Sequence, residues 1–169
     1  MLRVCTRRYL IKYAISNQCK DAGCRTFVCL QSEIPPQTHQ ALMMGAYTDW
    51  KKKSSLKMLP LYYYHVAKAL PDETPQYIHY GMRDESEVHS LDDLKALMDE
   101  LKRRINLGEV LYIHCNDGTT RTKFLAAGLL GWLYSEMSVE EAVERTDEYC
   151  EIRNRGMTEF FLLVLTTQT

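Results

Sequence analysis

The sequence predicts an α/β fold in which a central, mainly parallel sheet is flanked by helices. Short apolar runs rich in strand-forming residues alternate along the chain with longer segments of helical spacing, which is the order expected of such a sheet. One of these runs is apolar nearly throughout, as in strands that are buried on both faces. With 169 residues, 46% of them hydrophobic, the chain is expected to form a single domain over residues 1–169.

Three of the apolar runs are predicted strands. Residues 25–31 and 77–82 are rich in strand-forming residues, and residues 109–113 form a shorter apolar run. The segment 32–75 contains a Pro-Pro pair, a basic run and an aromatic stretch. We expect loops there, with one or two helices.

Four segments with helical spacing of apolar residues are predicted helices. Ser90 and Asp93 have the spacing of a capping box at the start of the helix 91–106. Ser138 and Glu141 have the same spacing at the start of the helix that begins at 139. The predicted helix 121–134 is apolar nearly all round and is expected to lie centrally in the fold. The four helices cover residues 8–22, 91–106, 121–134 and 139 to about 155.

The balance of charge excludes two classes of partner. The chain carries 21 Lys and Arg against 22 Asp and Glu, so no net positive field favours duplex DNA or an anionic membrane surface. No apolar run approaches the roughly 20 residues of a membrane span, and the N-terminus lacks the apolar stretch of a secretory signal. We therefore expect an intracellular, cytoplasmic protein with no nucleic-acid partner and no membrane span. The oligomeric state stays open.

The spacing of the cysteines indicates neither a disulfide framework nor a zinc site. Cys19, Cys24 and Cys29 are five residues apart, which is not the spacing of a zinc knuckle. We therefore expect no metal. Five of the six cysteines are expected to be ordinary buried or half-buried thiols, and Cys115 is the exception.

The loop between the third predicted strand and the third predicted helix concentrates residues suited to phosphate chemistry. Cys115 leaves the strand where the amides of a tight loop and a helix N-terminus form an anion-binding nest, whose field also stabilises a thiolate. Gly118 permits a backbone conformation that turns amides inward. Arg121 offers a fork that matches two phosphate oxygens, and Thr122 offers a hydroxyl to the sulfur. This combination predicts phosphoryl transfer through a cysteinyl-phosphate.

With His114, these residues form the pattern His-Cys-x-x-Gly-x-x-Arg-Thr, which resembles the signature loop of the cysteine-dependent protein tyrosine phosphatase superfamily. At this length the chain resembles the compact dual-specificity branch. The resemblance implies that Cys115 is the nucleophile, that Arg121 clamps the phosphate and that Thr122 assists release of the thiolate. It also implies a protein tyrosine phosphatase-like fold, no cofactor, and a phosphorylated protein as the substrate. The residues implied to bind that substrate are Asn116, Asp117, Gly118, Thr119, Thr120 and Arg121.

The resemblance further implies a general acid, an aspartate on a loop that follows an earlier strand. Asp84 lies just after the predicted strand 77–82. Its acid form would protonate the leaving oxygen, and its carboxylate would then activate water. Alternatively, Asp84 solvates a turn. Glu85, Asp92 and Asp93 are rivals for the acid, although the last two also suit the N-terminus of the following helix.

The composition of the loop bears on the substrate. No basic residue lies between Cys115 and Arg121, whereas branches that act on inositol phosphates usually place lysine there. We therefore expect phosphotyrosine as the substrate, with phosphoserine and phosphothreonine as further candidates. Two alternatives stay open: the same chemistry on a glucan, an inositol phosphate or an RNA 5′-triphosphate, and a pseudophosphatase that binds phosphorylated partners without turnover. The roles of Asp117 and Lys123 also stay open.

Cys29 is a candidate for redox protection of the nucleophile. Peroxide oxidises an accessible thiolate to a sulfenic acid, and relatives often rescue it through a disulfide with a nearby cysteine. Cys29 lies in a predicted strand that could neighbour the loop, and the alternative is an inert core thiol. A disulfide would require Cα atoms within about 7 Å and converging side chains.

Overall fold

The structure is a computed structural model that describes residues 2–5, 22–32, 41–43, 70, 74–83, 88, 90–115, 120–155 and 161–163. Residues 8–21 of the first predicted helix, most of the segment 32–75, Asp84 and loop residues 116–119 lie outside the described residues. The statements about structure that follow concern the described part of the chain.

The described residues form a mainly parallel sheet of six strands, which are β1 (Leu2–Cys5), β2 (Cys24–Gln31), β3 (Ala41–Met43), β4 (Gln76–Met82), β5 (Val110–His114) and β6 (Phe161–Leu163). Their order in the sheet is β3-β4-β2-β5-β1-β6. Every neighbouring pair is parallel except β1 and β6, which are antiparallel. The predicted fold class is therefore confirmed.

Three of the predicted helices are present, with boundaries close to those predicted. They are α1 (Leu91–Asn106), α2 (Thr120–Leu133) and α3 (Val139–Arg155). Both predicted capping serines accept a backbone hydrogen bond: Ser90 Oγ from Asp93 N at 3.2 Å, and Ser138 Oγ from Glu141 N at 3.1 Å. Each bond satisfies an amide that the start of a helix would otherwise leave unpaired. No helix in the described part of the chain is long and apolar enough to cross a membrane.

The main hydrophobic core lies between the sheet and the helices. Alternate residues of β2, β4 and β5 point to one face, because side chains alternate along a strand. There they pack against α1 and α2, and Cys115 belongs to this core. The opposite face carries an aromatic row in which the Phe27 ring lies 6.0 Å from Tyr77 and 5.7 Å from Tyr112.

Two expectations from the sequence need correction. Helix α2 buries one side only, since Phe124 and Trp132 are 41% and 37% exposed, so its apolar surface does not place it centrally. The short strands β1, β3 and β6 were not expected, and β3 falls in a segment for which loops and helices were predicted. Each of the three is three or four residues long, too short to show a period of its own.

Candidate active site

Cys115 lies where the carboxyl ends of three parallel strands meet. It directly follows β5, whose last residue His114 pairs with Cys29 of β2, while Gln31 of β2 pairs with Met82 of β4. Open α/β sheets bind their ligands at this edge, outside the carboxyl ends of the strands. The Cys115 side chain is 1% exposed, so its sulfur is surrounded by protein groups.

A hydroxyl on the first turn of α2 donates a hydrogen bond to the Cys115 sulfur. Thr122 Oγ1 lies 3.0 Å from Cys115 Sγ, and both side chains are buried. A hydrogen bond to a charged acceptor is stronger than one to a neutral acceptor and favours the charged form. The sequence analysis assigned the Thr122 hydroxyl to the sulfur, and the structure places the two atoms within hydrogen-bond distance.

Arg121 lies inward and binds the end of the neighbouring strand. Its side chain is 2% exposed, and Nη1 donates to the Met82 carbonyl at 3.1 Å. This bond holds one nitrogen of the guanidinium and ties α2 to the strand that leads to Asp84. A guanidinium carries further N–H donors, which suit bidentate contact with an anion.

The start of α2 has a charge pattern opposite to that of the other two helices. Helices α1 and α3 place carboxylates in their first turns, as the helix dipole prefers, whereas α2 has none. Its first turn instead holds Arg121 and Lys123, and Lys123 Nζ binds Asp147 Oδ1 on α3 at 2.7 Å. Lys123 therefore joins two helices, while Arg121 adds its charge to the positive end of the dipole. This end of α2 favours a bound anion.

His114 is buried beside Cys115 and is neutral near neutral pH. Burial lowers its pKa from 6.5 to about 4; the hydrogen bond to the Cys115 carbonyl raises the pKa, and the charges of His79 and Arg121 lower it. Its Nδ1 lies 3.4 Å from that carbonyl oxygen. The histidine of the signature thus supports the backbone at Cys115.

The buried state of His114 predicts a pH-dependent stability. The unfolded chain binds a proton at His114 near pH 6.5, whereas the folded chain binds it only near pH 4. Acid therefore favours the unfolded chain, and His114 should remove about 2 kcal/mol from the free energy of unfolding between about pH 7.5 and about pH 5. Denaturant titrations at both pH values would measure this loss. The His114→Asn variant should lose about 2 kcal/mol less over this interval, and an equal loss in the two proteins would contradict the assignment.

The structure describes only some of the other predicted site residues. Thr120 is the exposed first residue of α2, whereas Asp84 and the loop residues Asn116, Asp117, Gly118 and Thr119 lie outside the described residues. Asp92 and Asp93, the rivals for the acid, lie in the first turn of α1, where carboxylates suit the dipole. The Met82 carbonyl is a contact that the sequence analysis missed, because a backbone group leaves no signal in residue types.

Cys29 is poorly placed to protect Cys115. Val28 and Leu30 belong to the core that contains Cys115, so Cys29, between them, faces the other side of the sheet. A disulfide needs side chains that converge, and this register separates them. The thiols of Cys24, Cys29, Cys115 and Cys150 are all buried. The described residues contain no group of three or more His, Cys, Asp or Glu side chains that could hold a metal ion.

Comparison with solved structures defines the class of fold. No protein-family model and no curated protein matches the sequence. Similar solved structures show that the chain shares the fold of several phosphatases, among them one of dual-specificity type.

Three of these structures illustrate the similarity. Tk-PTP in its active form has a TM-score of 0.55 at 14% identity, over 87% of this chain and 76% of that one. Kinase-associated phosphatase with its catalytic-site cysteine changed to serine has a TM-score of 0.56 at 16% identity, over 79% of this chain and 62% of that one. Human DUSP28 has a TM-score of 0.53 at 11% identity, over 87% and 77%.

Proposed function

We propose that the protein is a cysteine-dependent phosphatase that hydrolyses phosphomonoesters on proteins. Phosphotyrosine is the proposed substrate, with phosphoserine and phosphothreonine in addition. The observation that carries the proposal is the 3.0 Å hydrogen bond from Thr122 to the Cys115 sulfur, at a helix start that holds Arg121 and no carboxylate. Phosphoryl transfer to cysteine requires such groups: a donor to the sulfur, a buried guanidinium and the positive end of a helix.

In the first step, the Cys115 thiolate attacks phosphorus and the ester oxygen departs. Arg121 and the amides of the loop hold the non-bridging oxygens, on which charge is spread in the transition state. Asp84 gives its proton to the leaving oxygen, which a poor leaving group needs in order to depart. The product of this step is a cysteinyl-phosphate and a free alcohol or phenol.

In the second step, water attacks the cysteinyl-phosphate and Cys115 leaves as a thiolate. The Asp84 carboxylate left by the first step takes a proton from the water. Thr122 stabilises the departing sulfur through the hydrogen bond already present in the structure. Inorganic phosphate is released, and no metal takes part in either step.

The Met82 carbonyl supports both steps by positioning. Arg121 donates a hydrogen bond to the end of β4, and the chain continues from there to Asp84. The same strand end therefore positions the phosphate-binding guanidinium and begins the segment that carries the acid. Met82 and Asp84 are two residues apart along the chain. In the proposed mechanism, Arg121 and Asp84 therefore act as parts of one unit.

The choice of acid is tested by substrates with different leaving groups. Asp84→Asn should slow hydrolysis of phosphopeptides by about two to four orders of magnitude, because their leaving oxygens need a proton. The loss should be much smaller for aryl phosphates with acidic phenols, which depart unprotonated. Initial rates on both substrate classes, with a chelator present, give the comparison.

Glu85→Gln is the matched control, since it removes a neighbouring carboxyl group. It should keep nearly full activity on both substrate classes. Equal losses for the two classes in Asp84→Asn would move the acid to Glu85 or another carboxylate. A wild-type protein that binds phosphopeptides and hydrolyses none of a panel of phosphopeptides, inositides and phosphorylated glucans would overturn the proposed activity itself.

A further inference from the structure

An apolar groove lies between the three helices, on the side of α2 that faces away from the sheet. It encloses about 520 Å³, within the range typical of ligand sites. We call it the helical groove; its walls include Leu94, Met98, Phe124, Trp132, Met137 and Val143. Phe124, Trp132 and Val143 are 41%, 37% and 46% exposed, although they are large apolar residues.

One wall of the helical groove is held in place by polar contacts. Trp132 Nε1 donates to Asp99 Oδ1 at 2.8 Å, and Lys102 Nζ donates to the Trp132 carbonyl at 2.9 Å. Both partners lie on α1, so the indole is fixed at the edge of the groove. A fixed aromatic wall loses little conformational entropy when a partner docks on it.

A glycine in α2 keeps the helical groove open. A Cβ built on Gly131 would meet no neighbouring atom within 4 Å, whereas one on Gly128 would lie 2.7 Å from Met98 Cε. A side chain at 128 would therefore displace the flexible end of Met98, whereas nothing packed against position 131 requires glycine there. Glycine inside a helix costs about 0.5–1 kcal/mol relative to alanine. The empty space beside Gly131 is therefore maintained at a cost to the helix.

The rim of the helical groove along α3 is acidic. Three acidic residues each come directly after a residue that lines the groove: Glu140, Glu144 and Asp147. This spacing places the three carboxylates on one flank of α3. Residues 136–148 hold six carboxylates and one arginine. Lys123 binds Asp147, while Glu140 and Glu144 are exposed to solvent. This flank would attract positive charge.

We propose that the helical groove docks a basic amphipathic helix of a partner protein. Apolar side chains spaced three and four residues apart would enter between Phe124 and Trp132, as in other helix-in-groove complexes. Lysine or arginine on the flank of that helix would face Glu140 and Glu144. The groove lies on the opposite side of α2 from Cys115, so the docked partner would leave the phosphate site open.

The test uses the full chain and synthetic helical peptides of about 14 residues. The basic peptide has leucine at every third and fourth position and lysine elsewhere. Its twin has glutamate in place of lysine, and a third peptide has the basic composition in scrambled order. Anisotropy of the labelled peptides gives the affinities. The basic peptide should bind at least about ten-fold tighter than either control.

Two variants locate the binding. Gly131→Leu fills the open space and should weaken binding of the basic peptide by at least about ten-fold. Its melting temperature should stay at or above that of the wild type, since leucine is the better helix former. The double variant Glu140→Lys with Glu144→Lys leaves the walls intact and should make the acidic twin the tighter ligand.

Several results would overturn the proposal. Equal affinity for the basic and acidic peptides, or binding that Gly131→Leu leaves unchanged, would show that the peptide does not use the groove. Self-association in sedimentation experiments that Gly131→Leu abolishes would assign the groove to a second copy of the chain. Binding of a small apolar dye that Gly131→Leu abolishes, without any peptide binding, would assign it to a small ligand.

Discussion

Replacing Cys115 by serine should lower the rate of hydrolysis by at least about three orders of magnitude, a loss of about 4 kcal/mol in transition-state stabilisation. A serine hydroxyl is not ionised near neutral pH without an activating base, and His114 is a weak base, because burial lowers its pKa to about 4. The fold should persist, since serine can keep the hydrogen bond from Thr122. Steady-state rates on phosphotyrosine peptides and circular dichroism measure the two effects.

Cys29→Ser is the matched control for this substitution. Cys29 is 2% exposed, as buried as Cys115, and its residue neighbour across the sheet is His114. It faces the other side of the sheet, so its loss should cost stability without changing the rate. A Cys115→Ser enzyme that keeps more than about a tenth of the wild-type rate, a loss below about 1.4 kcal/mol, would contradict the nucleophile.

Replacing Arg121 by lysine should lower kcat/KM by at least about 100-fold, or about 2.7 kcal/mol. Lysine keeps the positive charge but offers one point of contact where the guanidinium offers a planar fork. Lysine would also not reproduce the geometry of the hydrogen bond that the Arg121 guanidinium donates to the Met82 carbonyl. Saturation kinetics on one phosphopeptide would measure the loss.

Arg104→Lys provides the comparison for a partly buried arginine outside the site. Arg104 binds Glu100 at 2.6 Å and Glu109 at 3.1 Å, with 12% of its side chain exposed. Its substitution should lower the melting temperature and leave kcat/KM unchanged. If Arg121→Lys behaved like Arg104→Lys, the inward position of Arg121 would have a structural role only.

The elements around the site could be predicted because their signals are local. An apolar strand, a short loop with glycine and an apolar helix follow one another within residues 109–134, and the structure has β5 and α2 there. Both helix starts with a capping serine were found for the same reason, since the cap and its amide are three residues apart. The contact of Thr122 with Cys115 also follows from local geometry.

The remaining features depend on partners that are distant along the chain. Strand β1 is held by β5, which lies more than 100 residues later, and β6 is held by β1 from near the other end of the chain. Strands this short are stabilised by pairing rather than by their own residue preferences. The Met82 carbonyl beside Arg121 and the open side of α2 depend in the same way on how elements pack. Apolar residues all round α2 indicated burial on every side, but those on the side away from the sheet line the helical groove.

Trapping the phosphorylated enzyme would test the proposed chemistry most directly. Wild-type protein is mixed with a radiolabelled aryl phosphate and denatured rapidly during turnover, and the labelled peptide is then identified by mass spectrometry. The covalent mechanism predicts one phosphoryl group on the Cys115 sulfur, and none in Cys115→Ser. A phosphoryl group on another side chain, or turnover with no labelled protein at any time after mixing, would contradict the cysteinyl-phosphate intermediate.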